Sequence, residues 1–143
     1  HKVWRGLNTD EVAEPNSFAV EAAIAAFTKG EAWLDALRRY IQENRRFTED
    51  FLEKEIPQIK AVSSQATYLV WLDCREMQGC ATEFTQYLRE HTGLYLSEGR
   101  QYGESGSSFI RMNIACPRSW LEDGLMRLAK GSSAYEEWTL SMC

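Results

Sequence analysis

Arg111 lies within Phe109-Ile110-Arg111-Met112-Asn113-Ile114-Ala115-Cys116-Pro117-Arg118, a segment whose alternation predicts a strand carrying a permanent cation. Side chains alternate across a strand, so Ile110, Met112 and Ile114 share one face while Phe109, Arg111 and Asn113 share the other. The first face reads as core. On the second, a planar five-donor guanidinium held on rigid backbone suits bidentate capture of a carboxylate. The residues alone leave a plainer account open, in which Arg111 is solvated or paired within the fold.

Other chemistry-bearing side chains are less pointed. The cysteines at 74, 80, 116 and 143 form no CxxC pair, and no histidine stands at zinc-ligand spacing. Neither a metal site nor a small disulfide scaffold is indicated, and reduced thiols favour the cytoplasm. His91 falls in the last turn of a predicted helix, where a partial positive charge meets the helix's negative end; that role outweighs catalysis. Ser97 to Ser108 holds Gly99, Gly103 and Gly106 among serines. Their spacing matches no phosphate-cradling motif and no helix start follows, so the segment is a loop rather than a nucleotide site.

The elements that must position Arg111 follow from periodicity. Pro15-Asn16-Ser17 offers a turn and an N-cap ahead of a helix over Phe18 to Thr28, whose alanines make it narrow and able to pack closely, and Lys29-Gly30 ends it. Glu31 opens a long amphipathic helix, with Trp33, Leu34, Leu37, Tyr40, Ile41, Phe47, Phe51 and Leu52 at threes and fours until Pro57 stops it. Its opposite face is mixed in charge, which suits a helix laid on a sheet. Arg38-Arg39 and Arg45-Arg46 are read as part of a solvated face.

Ile59 to Val62 is a short candidate strand. Thr67 to Asp73 is a second, apolar on both faces and therefore interior. A helix over Ala81 to His91 buries Phe84, Tyr87 and Leu88 and ends at Gly93, and Leu94 to Leu96 forms a short edge strand. After the arginine strand, Phe109 to Ala115, Pro117 sits near the first turn of a final helix to about Lys130, with Leu121, Leu125 and Leu128 inward and Gly131 closing it. The tail, 132–143, either adds a short helix or docks on a partner. This order describes an α+β fold, a small mostly antiparallel sheet with helices packed on one face.

Composition sets outer limits. The 143 residues are enough for one ordinary domain, with 44% hydrophobic residues for a core and 26% charged residues for a surface. No run approaches the ~18 apolar residues of a membrane span, and the N-terminus lacks a signal-peptide pattern. With 16 basic against 21 acidic residues the net charge is -5, which argues against nucleic acid as a partner. Residues 1–15 carry Gly6, Asn8, Asp10 and Pro15 with little periodicity and read as a truncated remnant of a preceding region.

Four motifs in order carry a family resemblance: Ala25-Ala26-Phe27-Thr28-Lys29-Gly30-Glu31-Ala32-Trp33-Leu34-Asp35, Asn44-Arg45, Thr67-Tyr68-Leu69-Val70-Trp71-Leu72-Asp73-Cys74-Arg75, and the arginine strand through Arg118. Together they resemble the C-terminal small domain of pyridoxal-phosphate-dependent class I/II aminotransferases, in the cystathionine β-lyase (C–S lyase) branch. The resemblance covers residues 16–130 and implies the fold type I architecture. It implies an inter-domain helix over 16–30, an aminotransferase-like small domain over 31–130 and a tail over 131–143.

By that resemblance Arg111 binds the substrate α-carboxylate, and Ser97, Gly99, Tyr102 and Gly103 line the active-site entrance. Glu98 stands where the family often has proline. The cofactor of the full-length enzyme is pyridoxal phosphate, and its Schiff-base lysine lies in a missing N-terminal large domain. None of Lys2, Lys29, Lys54, Lys60 and Lys130 occupies the catalytic context, so this chain supplies no catalytic, cofactor-binding or metal residue and by itself is expected to be inactive. The implied reaction is β-elimination of a thiol from a sulfur amino acid such as cystathionine, leaving pyruvate and ammonia, with a homodimer as the assembly. An aminotransferase, or a non-enzymatic module for small-molecule sensing or subunit contact, is the alternative. Separation from a large domain would expose apolar surface on the alanine-rich helix and the first 15 residues, with self-association as the consequence.

Overall fold

The computed structural model describes residues 16–141. They divide into two compact units, the first ending at Arg38 and the second beginning at Arg39. The stretch read as a remnant, residues 1–15 with Lys2, and Cys143 lie outside the described residues.

In the first unit, Asn16 caps helix α1 (Ser17–Lys29) by accepting the Ala19 N–H on its side-chain oxygen at 2.9 Å. After Gly30 the chain enters α2 (Glu31–Glu55), and the expected break between the two helices is a single residue wide. No residue of α1 is buried, and Phe18 and Phe27 are 86% and 93% exposed. The apolar surface expected on this helix is therefore present.

In the second unit, α2 turns Asn44, Thr48 and Leu52 inward. The chain then passes Pro57 into β1 (Lys60–Ala61), β2 (Leu69–Asp73), α3 (Ala81–Thr92), β3 (Ser97–Glu98), β4 (Phe109–Asn113) and α4 (Arg118–Ser141). The strands form one antiparallel sheet in the order β1-β2-β4-β3. Alternation puts Val70 and Leu72 of β2 with Ile110 and Met112 of β4 in the core, beside Leu52, Phe84, Leu88, Leu121, Leu125, Leu128 and Tyr135 from the helices. Each buried Leu or Ile of this kind contributes about 1.5–3 kcal/mol. The sequence places β2 inside the sheet, and it does pair on both sides. Its second face, Leu69, Trp71 and Asp73, is only half-buried.

Three expectations need correction. The last helix does not close at Gly131: α4 continues to Ser141 and buries Tyr135 completely. A Cβ at Gly131 would collide with Leu88 of α3, so this glycine is where two helices touch rather than where one ends. Its helix-interior penalty of about 0.5–1 kcal/mol is offset by the contact it permits. Phe84 and Tyr87 of α3 lie 5.2 and 5.3 Å from the Tyr135 ring and hold the extension in place.

The edge strand is not Leu94 to Leu96 but Ser97–Glu98. Leu96 goes into the core, and the ladder forms where Ser97 and Glu98 meet Arg111 and Ile110. Finally, Arg45 is not solvated. Its side chain is 13% exposed, 3.8 Å from Glu49, because it borders the inward stripe of Asn44 and Thr48.

Candidate functional site

The open face of the sheet is built from the residues that alternate away from the core. In register, Arg111 of β4 stands between Trp71 of β2 and Ser97 of β3. Arg111 is half-buried, and its Nη2 donates to the Ser97 hydroxyl at 3.5 Å, a long and weak bond. Its guanidinium carbon lies 4.4 Å from the centre of the Tyr102 ring. Trp71 meets Tyr102 edge-on at 5.5 Å and Phe109 edge-on at 6.3 Å. One arginine is thus set among three aromatic rings.

Arg45, Arg75, Arg100 and Arg127 each have a carboxylate within ion-pair distance, whereas among the described residues Arg111 has none, a state it shares with the half-buried Arg118 over the Phe47 ring. An aromatic ring at this distance stabilises a cation by about 0.5–2 kcal/mol without taking up its N–H donors as a carboxylate would. What the arrangement offers, then, is a guanidinium fork on a strand, available to an incoming anion.

The loop residues fall around this point. After β3, one 3₁₀ turn spans Gly99–Tyr102 and a second spans Glu104–Gly106, joined by Gly103. Gly103 adopts φ +128, which side-chain-bearing residues rarely do. Gly99 is buried with its backbone against the carbonyls of Gly106 and Phe109, and a Cβ there would strike both oxygens. The five residues singled out in sequence are thereby placed as follows. Ser97 and Tyr102 touch Arg111, Gly99 fastens the loop to β4, and Gly103 turns it, with open space where a Cβ would project. Glu98 pairs with Ile110 on the core side, where its carboxylate accepts the Thr82 hydroxyl at 2.6 Å. It faces away from Arg111.

Two neighbours of Arg111 on the same face are otherwise engaged. Asn113 is exposed and accepts the Ala115 N–H at 2.8 Å. Asp73 is held below the usual carboxylate range by its hydrogen bonds to Arg75, whose guanidinium lies over Phe109.

One supporting residue was not evident as such in the sequence. Asn44, fully buried, donates through Nδ2 to the carbonyls of Ile114 at 2.8 Å and Cys116 at 3.1 Å, clamping the turn that leaves β4. Tyr40 adds a second hold, its hydroxyl accepting the Arg118 N–H at 2.8 Å. His91 makes the expected helix-end contact, with Nδ1 3.0 Å from the Tyr87 carbonyl and its ring stacked on Tyr87. Among the described residues no group of His, Cys, Asp and Glu could hold a metal ion, and no helix is long and apolar enough to cross a membrane.

Residues 7–128 match the family described as aminotransferase class I and II. The chain belongs to this family. Among curated proteins it is similar to cystathionine beta-lyase PatB of Bacillus subtilis (strain 168), 39% identical over 113 residues that cover 79% of this chain and 29% of PatB. It is also similar to protein MalY of Escherichia coli (strain K12), 37% identical over 119 residues, 83% of this chain and 30% of MalY. Among solved structures it resembles cystalysin from Treponema denticola, which contains pyridoxal 5'-phosphate. The TM-score is 0.82 at 28% identity, covering 88% of this chain and 32% of cystalysin. The family and the α+β fold expected from the sequence stand, and a cystathionine beta-lyase is among the relatives, as the resemblance implied. This member spans about a third of the length of the curated relatives it matches.

Proposed function

We propose that this chain is the small-domain portion of a pyridoxal-phosphate-dependent C–S β-lyase acting on sulfur amino acids, and that Arg111 binds the substrate α-carboxylate. The observation that carries the reading is the half-buried guanidinium on β4 with no carboxylate partner among the described residues. A substrate carboxylate would supply that anion through charge-assisted, two-point hydrogen bonds. Similarity to a cystathionine β-lyase supports this reaction class.

The described residues do not fit the cofactor's own site. Lys54 and Lys60 are ion-paired with Glu55 and Glu76, Lys29 ends α1, and Lys130 lies exposed on α4. None contacts Arg111, whose partners are Ser97 and Tyr102. The contribution of these residues is to hold and orient the substrate's acid end, and the chain alone is catalytically silent. The same reading assigns a large domain, an amino acid such as cystathionine and a second copy as partners, in the cytoplasm. The uncovered apolar face of α1 is consistent with such a neighbour.

The test is Arg111→Lys in the longer polypeptide that contains this chain. A lysine keeps the charge and loses the fork, so kcat/KM for L-cystathionine is expected to fall tenfold to a hundredfold, on the order of 1.4–3 kcal/mol. An unchanged kcat/KM would contradict the assignment.

A further inference from the structure

Resting on the carboxylate reading of Arg111, we infer that Tyr102 is a positioning residue for that contact: its ring covers one face of the guanidinium and makes a carboxylate approach in the guanidinium plane. Three observations meet here. The Tyr102 ring centre is 4.4 Å from Arg111 Cζ, close enough for a strong cation–π contact. Trp71, directly across the ladder from Arg111, abuts Tyr102 edge-on at 5.5 Å and 82°, so the ring is braced by the sheet rather than by its loop alone. Among the described residues the Tyr102 hydroxyl has no hydrogen-bond partner, so its hold on Arg111 is made by the ring.

The consequence is stereochemical. An arginine side chain in water samples many rotamers, and ordering it on binding detracts from affinity. With Cζ over the Tyr102 ring and Nη2 3.5 Å from the Ser97 hydroxyl, the fork has fewer rotamers to lose on binding. The remaining N–H donors point along the plane, where a carboxylate can accept two of them at once. Tyr102 is itself half exposed and sits at the end of a 3₁₀ turn, so it reaches Arg111 from the loop side.

The test compares the 143-residue chain with its Tyr102→Phe, Tyr102→Leu and Arg111→Ala forms by ¹⁵N-edited NMR of arginine side chains, with sodium acetate as the carboxylate probe and sodium chloride as the ionic control. The Arg111→Ala spectrum assigns the Arg111 Nε–Hε signal. In wild type and Tyr102→Phe that signal is expected to be displaced by the ring and slow to exchange. In Tyr102→Leu it is expected to return to the position of a solvated arginine, with acetate affinity down about fivefold. An Arg111 signal in Tyr102→Leu identical to wild type overturns the positioning role. If Tyr102→Leu releases the signal but acetate moves it no more than chloride does in any form, Tyr102 orders the guanidinium and the carboxylate reading fails instead.

Discussion

Replacing Asn44 by alanine should destabilise the second unit more than any exposed substitution on the same helix. Asn44 is fully buried and satisfies two carbonyl oxygens, those of Ile114 and Cys116, at 2.8 and 3.1 Å. Alanine leaves the buried Ile114 carbonyl without its donor, at about 1–3 kcal/mol, and the Cys116 carbonyl with only the 3.4 Å bond from the Tyr40 hydroxyl. It regains up to ~0.7 kcal/mol of helix propensity. The net loss expected is about 1–3 kcal/mol. For a domain of this size, with a urea slope of about 1–3 kcal/mol per molar, the midpoint should fall by roughly 0.5–1.5 M. Arg46→Ala, on the exposed side of α2, is the control and should shift it little, within about 0.5 kcal/mol. The assay is urea unfolding of the wild-type and variant chains followed by circular dichroism. A loss under about 0.5 kcal/mol for Asn44→Ala would refute the clamp, since that is the range of a surface substitution.

Cysteine reactivity and loop packing give two more checks. Burial pushes the Cys74 thiol up to about 12 from an ordinary 9.0, whereas Cys80 is exposed, so iodoacetamide at pH 8 should label Cys80 and spare Cys74, read by peptide mass spectrometry. Because the folded-state value of Cys74 is the raised one, its contribution to stability is complete below pH 9 and is lost as pH rises from 9 towards 12. Gly99→Ala forces a methyl onto the carbonyls of Gly106 and Phe109, which are backbone and cannot swing aside. A destabilisation of about 1–3 kcal/mol is expected by urea unfolding, against near-neutrality if the loop is free to move.

Much of the frame could be read in the sequence because it rests on local periodicity. The alternation in β2 and β4 put Arg111 on the open face and Ile110 and Met112 in the core, where they lie. What escaped were features that depend on a partner distant in the chain. A glycine after a helical stretch reads as a stop, and only the approach of Leu88 reveals Gly131 as a helix contact. Asn44 sits at an inward helical position where a leucine would be unremarkable, and its targets are 70 and 72 residues away. Arg45 is charged and flanked by charges, so the pattern exposes it; the position of the Asn44–Thr48 stripe buries it. The Tyr102 contact is a matter of how two 3₁₀ turns fold back on β4, which glycine spacing does not specify.

The most direct measurement of the central assignment is a cycle that pairs Arg111→Ala with the loss of the substrate's acid group, in the longer polypeptide containing this chain. kcat/KM is compared for an amino-acid substrate and its α-carboxamide, with wild type and variant. If Arg111 holds the α-carboxylate, the substitution should lower kcat/KM about a hundredfold or more for the acid and leave the amide nearly unchanged, because the interaction lost is the same in both legs. Equal losses for acid and amide, or no loss for either, would contradict it.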